Sequence, residues 1–191
     1  MQHQSNEISC RCCSDTPISN MSGPELLRHM GSHILHDPQF KDADSPCGLC
    51  LSTGQLCKIR LVKRAKKGVQ IDMVNSHCPN LKKISLAKAS KFTKQSPCTN
   101  VPMQCPLCPK GSDAVWKYNM CAHIRKDHPS ANVTNYNNLY TILPEESTLM
   151  RGIYKRPPKL KNSKTATRGY TISEGHSSRL AMRYASVIQY N

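Results

Sequence analysis

The chain has 191 residues, but only 5% are aromatic, with a single Trp and two Phe. That excludes a large conventional core, while 11 cysteines offer the alternative of stapling small modules. The formal charge of +15 is uneven: residues 1–57 carry three basic residues against six acids, a net of −3, which leaves +18 on residues 58–191 and points to polyanions, nucleic acid first, as partners.

No stretch approaches the roughly 20 apolar residues of a membrane span, and Met1 to Ser14 hold no apolar run of the kind an export signal needs. The expected compartment is therefore reducing, where cysteines near histidines read as metal ligands rather than disulfides. In chain order, residues 1–42 form a first segment. Cys10 and Cys13 make a two-residue knuckle, fifteen residues follow, and His29 and His33 complete a set of two cysteines and two histidines. Cys12 is an alternative cysteine ligand, and His36 competes with His29. Ser22 to Glu25 reads as a capping box opening a helix, with Pro24 in its first turn. Leu26, Leu27, Met30 and Ile34 continue it at helical spacing.

Residues 43–100 read as a Cys-rich, ribbon-like hairpin module. Cys47 and Cys50 form its knuckle, and Cys78 and Cys98 are expected to complete a four-cysteine set, with Cys57 and His77 as competing ligands. Between them, Ile59 and Leu61 alternate with Lys58 and Arg60, and Val69, Ile71 and Met73 alternate with Gln70 and Asp72. That is the pattern of two half-buried strands joined by a basic turn from Lys63 to Gly68.

The third segment, residues 101–130, carries the sharpest spacing. Cys105 and Cys108 are followed by fourteen residues, His123, four residues and His128. Two cysteines on a tight knuckle and two histidines on one helical face close a tetrahedron around zinc. Ser112 and Asp113 are the expected N-cap of a helix running through Asp127, with Pro129 ending it. Met120 and Trp116 are its expected core, and Cys121 a free thiol. These residues resemble the C2H2 zinc finger family, which implies a short hairpin and a helix around one zinc. The interval between ligand pairs is longer than the family's usual twelve, and no tandem copy follows. By that resemblance the base-reading positions are Trp116, Asn119 and Ala122, of which Asn119 could read adenine.

The remaining residues, 131–191, read as a basic, partly disordered tail with short helices. One opens at Pro144 with Leu149, Met150 and Ile153 on one face, and a last one carries Leu180, Tyr184, Val187 and Ile188. The order of motifs HMGSHILHD, CGLCLSTGQLC, PCTNVPMQCPLCPK, VWKYNM and EGHSSRLAMR is similar to a group of multi-finger zinc proteins from mushroom-forming fungi with a link to mobile elements. That resemblance implies three consecutive metal modules and no particular activity.

The expected architecture is a small α+β chain of zinc-stapled modules, a ββα-type finger and a zinc-ribbon-like hairpin among them. The expected function is nucleic-acid binding in the nucleus, DNA ahead of RNA, by a transcriptional regulator or a mobile-element-derived protein. Lys58, Arg60, Lys63, Arg64, Lys66 and Lys67 would neutralise phosphates, and the run from Lys63 to Lys67 doubles as an import signal. A zinc-stabilised scaffold for a protein partner is the alternative. No small-molecule substrate, membrane or catalysis is expected: no phosphate loop, nucleotide fingerprint or nucleophile elbow occurs, and closed zinc sets leave no open position.

Overall fold

The computed structural model describes residues 9–155 apart from 14–15, 41–42, 55 and 66–67; Lys66, Lys67 and the helix expected around Leu180 to Ile188 lie outside the described residues. The protein is a small mixed α/β structure with two short antiparallel hairpins. Its first helix, α1 (Gly23–His36), starts where the capping box predicts. The Ser22 amide donates to Glu25 Oε2 at 3.0 Å, and the Glu25 amide donates back to Ser22 Oγ at 3.5 Å. Leu26, Leu27 and Met30 form its buried stripe. Gly31 and Ser32 are buried as well, so α1 is sunk into the molecule rather than laid on its surface.

Next comes the Cys47–Cys50 knuckle, in which the Leu51 amide donates to the Cys47 carbonyl at 2.9 Å and the Cys47 amide to the Ser52 carbonyl at 2.9 Å. Strands β1 (Leu61–Arg64) and β2 (Gly68–Ile71) pair in register Leu61 with Ile71 and Arg64 with Gly68. Alternation holds only at the base of this hairpin. Ile59 and Ile71 are buried, whereas Val69 is exposed because the strands project beyond the core they start from, and Met73 is exposed because it lies in the turn that follows β2. A short helix, α2 (Leu86–Ala89), packs Leu86 and Ala89 inward. Just before it, Lys82 donates its ammonium to the carbonyls of Ile18, Ser19 and Met21, tying this segment to the loop that leads into α1.

Strands β3 (Pro102–Met103) and β4 (Val115–Trp116) form the second hairpin, and α3 (Met120–Asp127) follows after a 3-10 turn over Lys117–Asn119. The helix therefore begins later than a cap at Ser112 or Asp113 would set it. Trp116 and Val115 are better satisfied in a strand, where the Ala114 amide also reaches the Ile59 carbonyl at 2.7 Å. Asp113 turns to Arg60 instead, at 2.9 Å.

The two remaining helices are α4 (Asn137–Tyr140) and α5 (Pro144–Lys155), the latter opening at Pro144 as expected but packed into the molecule. Leu139 and Tyr140 pack beside Met120 and Ile124, and α5 lies against α1 with Met150 fully buried. Glu146, 1% exposed, points inward from α5, and its Oε1 accepts from the Thr99 amide at 2.8 Å and from the Thr99 and Tyr118 hydroxyls.

One apolar core joins residues from most of these segments, Ile18 and Leu26, Leu49 and Ile59, Trp116 and Met150, while Cys105, Met120 and Ile124 form a second, smaller cluster with Leu139 and Tyr140. Close backbone approaches lock the larger core. A Cβ on Gly48 would stand 2.5 Å from the Trp116 ring, and one on Gly31 would stand 2.7 Å from Cys98 Sγ. Gly48 sits in a knuckle and Trp116 is a rigid ring, so neither can yield easily. Gly48→Ala is expected to cost about 1–3 kcal/mol by overpacking and to lower Tm by several degrees. A thermal melt of the metal-loaded variant checks this, and an unchanged Tm would contradict the packing described.

Candidate metal centres

Three groups of four side chains each bring one donor atom within 4.8 Å of the others: Cys10, Cys13, His29 and His33; Cys47, Cys50, Cys57 and Cys78; and Cys105, Cys108, His123 and His128. All eleven cysteines are free thiols. Their contacts are too long for disulfides: Cys47 and Cys78 sulfurs are 3.8 Å apart, and those of Cys50 and Cys57 3.3 Å, against about 2.05 Å for an S–S bond.

In the first centre, α1 supplies His29 and His33 one turn apart on one face. The cysteines come from a loop closed by the Cys10 amide on the Thr16 carbonyl and the Thr16 amide on the Cys13 carbonyl, both at 2.9 Å. His33 Nε2 lies 3.8 Å from Cys10 Sγ and 3.2 Å from Cys13 Sγ. Tetrahedral zinc, with bonds of about 2.3 Å to sulfur and 2.0–2.1 Å to nitrogen, separates such donors by about 3.6 Å. His29 is 4% exposed, and its Nε2 has no hydrogen-bond partner. A buried imidazole nitrogen with no protein partner, in a group with two thiols and a second imidazole, fits a metal ligand. His33 Nδ1 lies 3.0 Å from Asp37 Oδ2, the carboxylate contact that fixes a ligating imidazole's tautomer. Burial raises the Cys10 thiol, but the neighbouring imidazoles of His29 and His33 outweigh it and bring its pKa down to about 5. That favours a thiolate, the form that binds metal, at Cys10, whereas burial and the neighbouring Cys10 push Cys13 up to about 11.

The second centre corrects the sequence expectation. Cys57, not Cys98, joins Cys47, Cys50 and Cys78. The reason lies in the hairpin. Lys58 and His77 face each other across its base, bonded in both directions at 3.1 and 2.8 Å, so their neighbours Cys57 and Cys78 arrive side by side. Two cysteines flanking a hairpin symmetrically were the available signal. Cys98 lies apart from the set, 3% exposed, donating to the Leu27 carbonyl at 3.4 Å and accepting from the Tyr118 hydroxyl at 3.7 Å. Burial pushes its thiol up to about 11. His77 is exposed and contributes no donor to the group. Hydrogen bonds from Cys47 and Cys78 hold Cys50 far below the usual thiol range.

At the third centre, β3 and β4 sit behind the Cys105–Cys108 knuckle, and α3 brings in His123, with His128 just past its end. Cys108 Sγ is 3.3 Å from both His123 Nε2 and His128 Nε2, and Cys105 Sγ is 3.7 Å from His128 Nε2. His123 Nδ1 contacts Asp127 Oδ2 at 2.7 Å, a second carboxylate–histidine pair. Met120 and Ile124, both fully buried, pack beside Cys105. Two sulfurs and two nitrogens in the first and third groups, and four sulfurs in the second, at these separations, are consistent with zinc.

Asn119 is not placed as a base-reading residue. It is 5% exposed, and its amide donates to the Pro46 carbonyl at 2.8 Å, binding the third segment to the second knuckle. Trp116 is buried too, which leaves Ala122 as the exposed member of that trio. Of the expected phosphate contacts, Lys58, Arg60, Lys63 and Arg64 are all exposed, although Arg60 also donates to the Gly111 carbonyl at 2.6 Å beside its ion pair with Asp113. The chain matches no family model, no curated protein and no solved structure.

The corrected ligand set has a direct consequence. Cys57→Ser is expected to remove one bound metal, whereas Cys98→Ser keeps the full count and loses only packing stability. Native mass spectrometry of the two variants distinguishes them, and a lost ion in Cys98→Ser alone would reverse the assignment.

Proposed function

We propose that the chain is a zinc-stapled, non-catalytic binding protein that grips nucleic acid, DNA ahead of RNA, by its phosphate backbone. Three sets of four protein donors support zinc in a structural role, because a catalytic zinc keeps a position open. The observation that carries the backbone reading is a contrast between buried and exposed residues. Trp116 and Asn119, where a reading finger would need free side chains, are buried, while Lys58, Lys63 and Arg64 on and beside the basic hairpin face solvent. The helix of the first centre is equally unavailable to a groove, sunk between α5 and the core. Phosphate contacts fix position and carry little sequence information. Asp72, which lies near Arg64, is the single acid between residues 45 and 112, so the cations of this stretch far outnumber its acids. The basic run from Lys63 to Lys67, read as an import signal, supports a nuclear setting.

A protein-binding scaffold is the second reading, favoured by an apolar groove of about 470 Å³ lined by Leu61, Val69, Leu86, Val101 and Met103. Salt separates the two. If about four phosphates are neutralised, raising salt from about 50 to about 200 mM should weaken duplex binding about 100-fold, equally for unrelated sequences. Fluorescence anisotropy with two scrambled duplexes reads this, and Lys63→Glu with Arg64→Glu should flatten the slope. Absent or salt-independent binding would turn the reading towards a protein partner.

A further inference from the structure

The first centre holds more donors than one ion can use. Beside Cys10, Cys13, His29 and His33 lies a second group, Cys12, His33 and Asp37, whose donor atoms also fall within 4.8 Å of one another. His33 belongs to both, with Nε2 turned to the thiols of Cys10 and Cys13 and Nδ1 to Asp37.

Asp37 is the residue that needs explaining. Its counterpart at the third centre, Asp127, has a side chain 38% exposed, where water screens the charge. The Asp37 side chain is 10% exposed, and its one ion-pair partner among the described residues is His33. With its other nitrogen on zinc, His33 is neutral and gives Asp37 a hydrogen bond but no counter-charge. The Gln39 amide, donating to Asp37 Oδ1 at 3.1 Å, adds none either. Asp37 is moreover the C-cap of α1, at the end of the helix where partial negative charge gathers and a carboxylate is disfavoured. A nearly buried carboxylate at that end of a helix, with a thiol close by, lacks a cation.

We propose that Cys12, Asp37 and His33 Nδ1 hold a second, exchangeable zinc ion beside the first centre, with the His33 ring bridging the two. The proposal rests on zinc at the first centre. On binding, the added ion replaces the Cys12 thiol proton and the His33 Nδ1 proton, both released to solvent, and Asp37 enters as the carboxylate. Three protein donors leave one position to water, so this ion exchanges while the four-donor sites retain theirs.

Native mass spectrometry of the full chain, purified with zinc and then titrated with zinc chloride, tests it. The expected result is three ions at the outset and a fourth on titration. Cys12→Ala should stop at three. Asp37→Asn, which still accepts a hydrogen bond from His33, should keep three and bind the fourth at least about tenfold more weakly. Saturation of the natural chain at three overturns the proposal. So does a fourth ion that persists in Cys12→Ala, or a Cys12→Ala protein with two ions, which would make Cys12 a ligand of the first centre. Fewer than three ions before titration would overturn the three-zinc reading itself.

Discussion

Four donor atoms have to converge on one point, and in this chain that requirement is met three times within 147 residue positions, from Ser9 to Lys155. Zinc in a small finger supplies about 10–16 kcal/mol of folding free energy, as much as the whole net stability of an ordinary domain, about 5–15 kcal/mol. A core with one Trp and little aromatic surface would gain from such staples what it cannot gain from burial. Metal at these groups would hold the segments between ligands at both ends, supporting strands as short as the two residues of β3 and β4.

The centres are not beads on a string. Trp116, behind the third centre, presses on Gly48 of the second knuckle, and Asn119 holds the Pro46 carbonyl of the same loop. Lys82 ties the second segment to the entry of α1, and α1 is closed over by α5 through Met150, with Glu146 of α5 bound to Thr99 and Tyr118. Each contact joins residues far apart in sequence. Removing one ion should therefore loosen the core that the other centres share.

What the sequence made legible follows from how local the determining physics is. The first and third ligand sets could be read because helix period and knuckle geometry fix their spacing within about 25 residues. The capping box at Ser22 is equally local. Cys57 was harder, since its place beside Cys78 depends on where the hairpin closes, at Lys58 and His77. Asn119 was misread because helix position alone does not reveal that a neighbouring loop offers its amide a carbonyl. Glu146 had no signal at all: an acid in the first turn of a helix normally faces solvent and favours the dipole, and only the arrival of Thr99 and Tyr118 accounts for its burial.

Surfaces left over after this internal bonding set the terms of function. Trp116 and Asn119 of the finger-like segment are spent on packing and α1 is sunk into the molecule, whereas the basic hairpin stays in solvent. The central claim, that coordinated metal holds one shared core, is tested most directly by chelator titration of the full chain. Trp116 fluorescence should be followed together with released metal; as the only Trp, buried against the second knuckle, it reports the core itself. The account predicts that Trp116 becomes exposed, and circular dichroism is lost, in step with metal release. Complete removal of metal with both signals unchanged would contradict it.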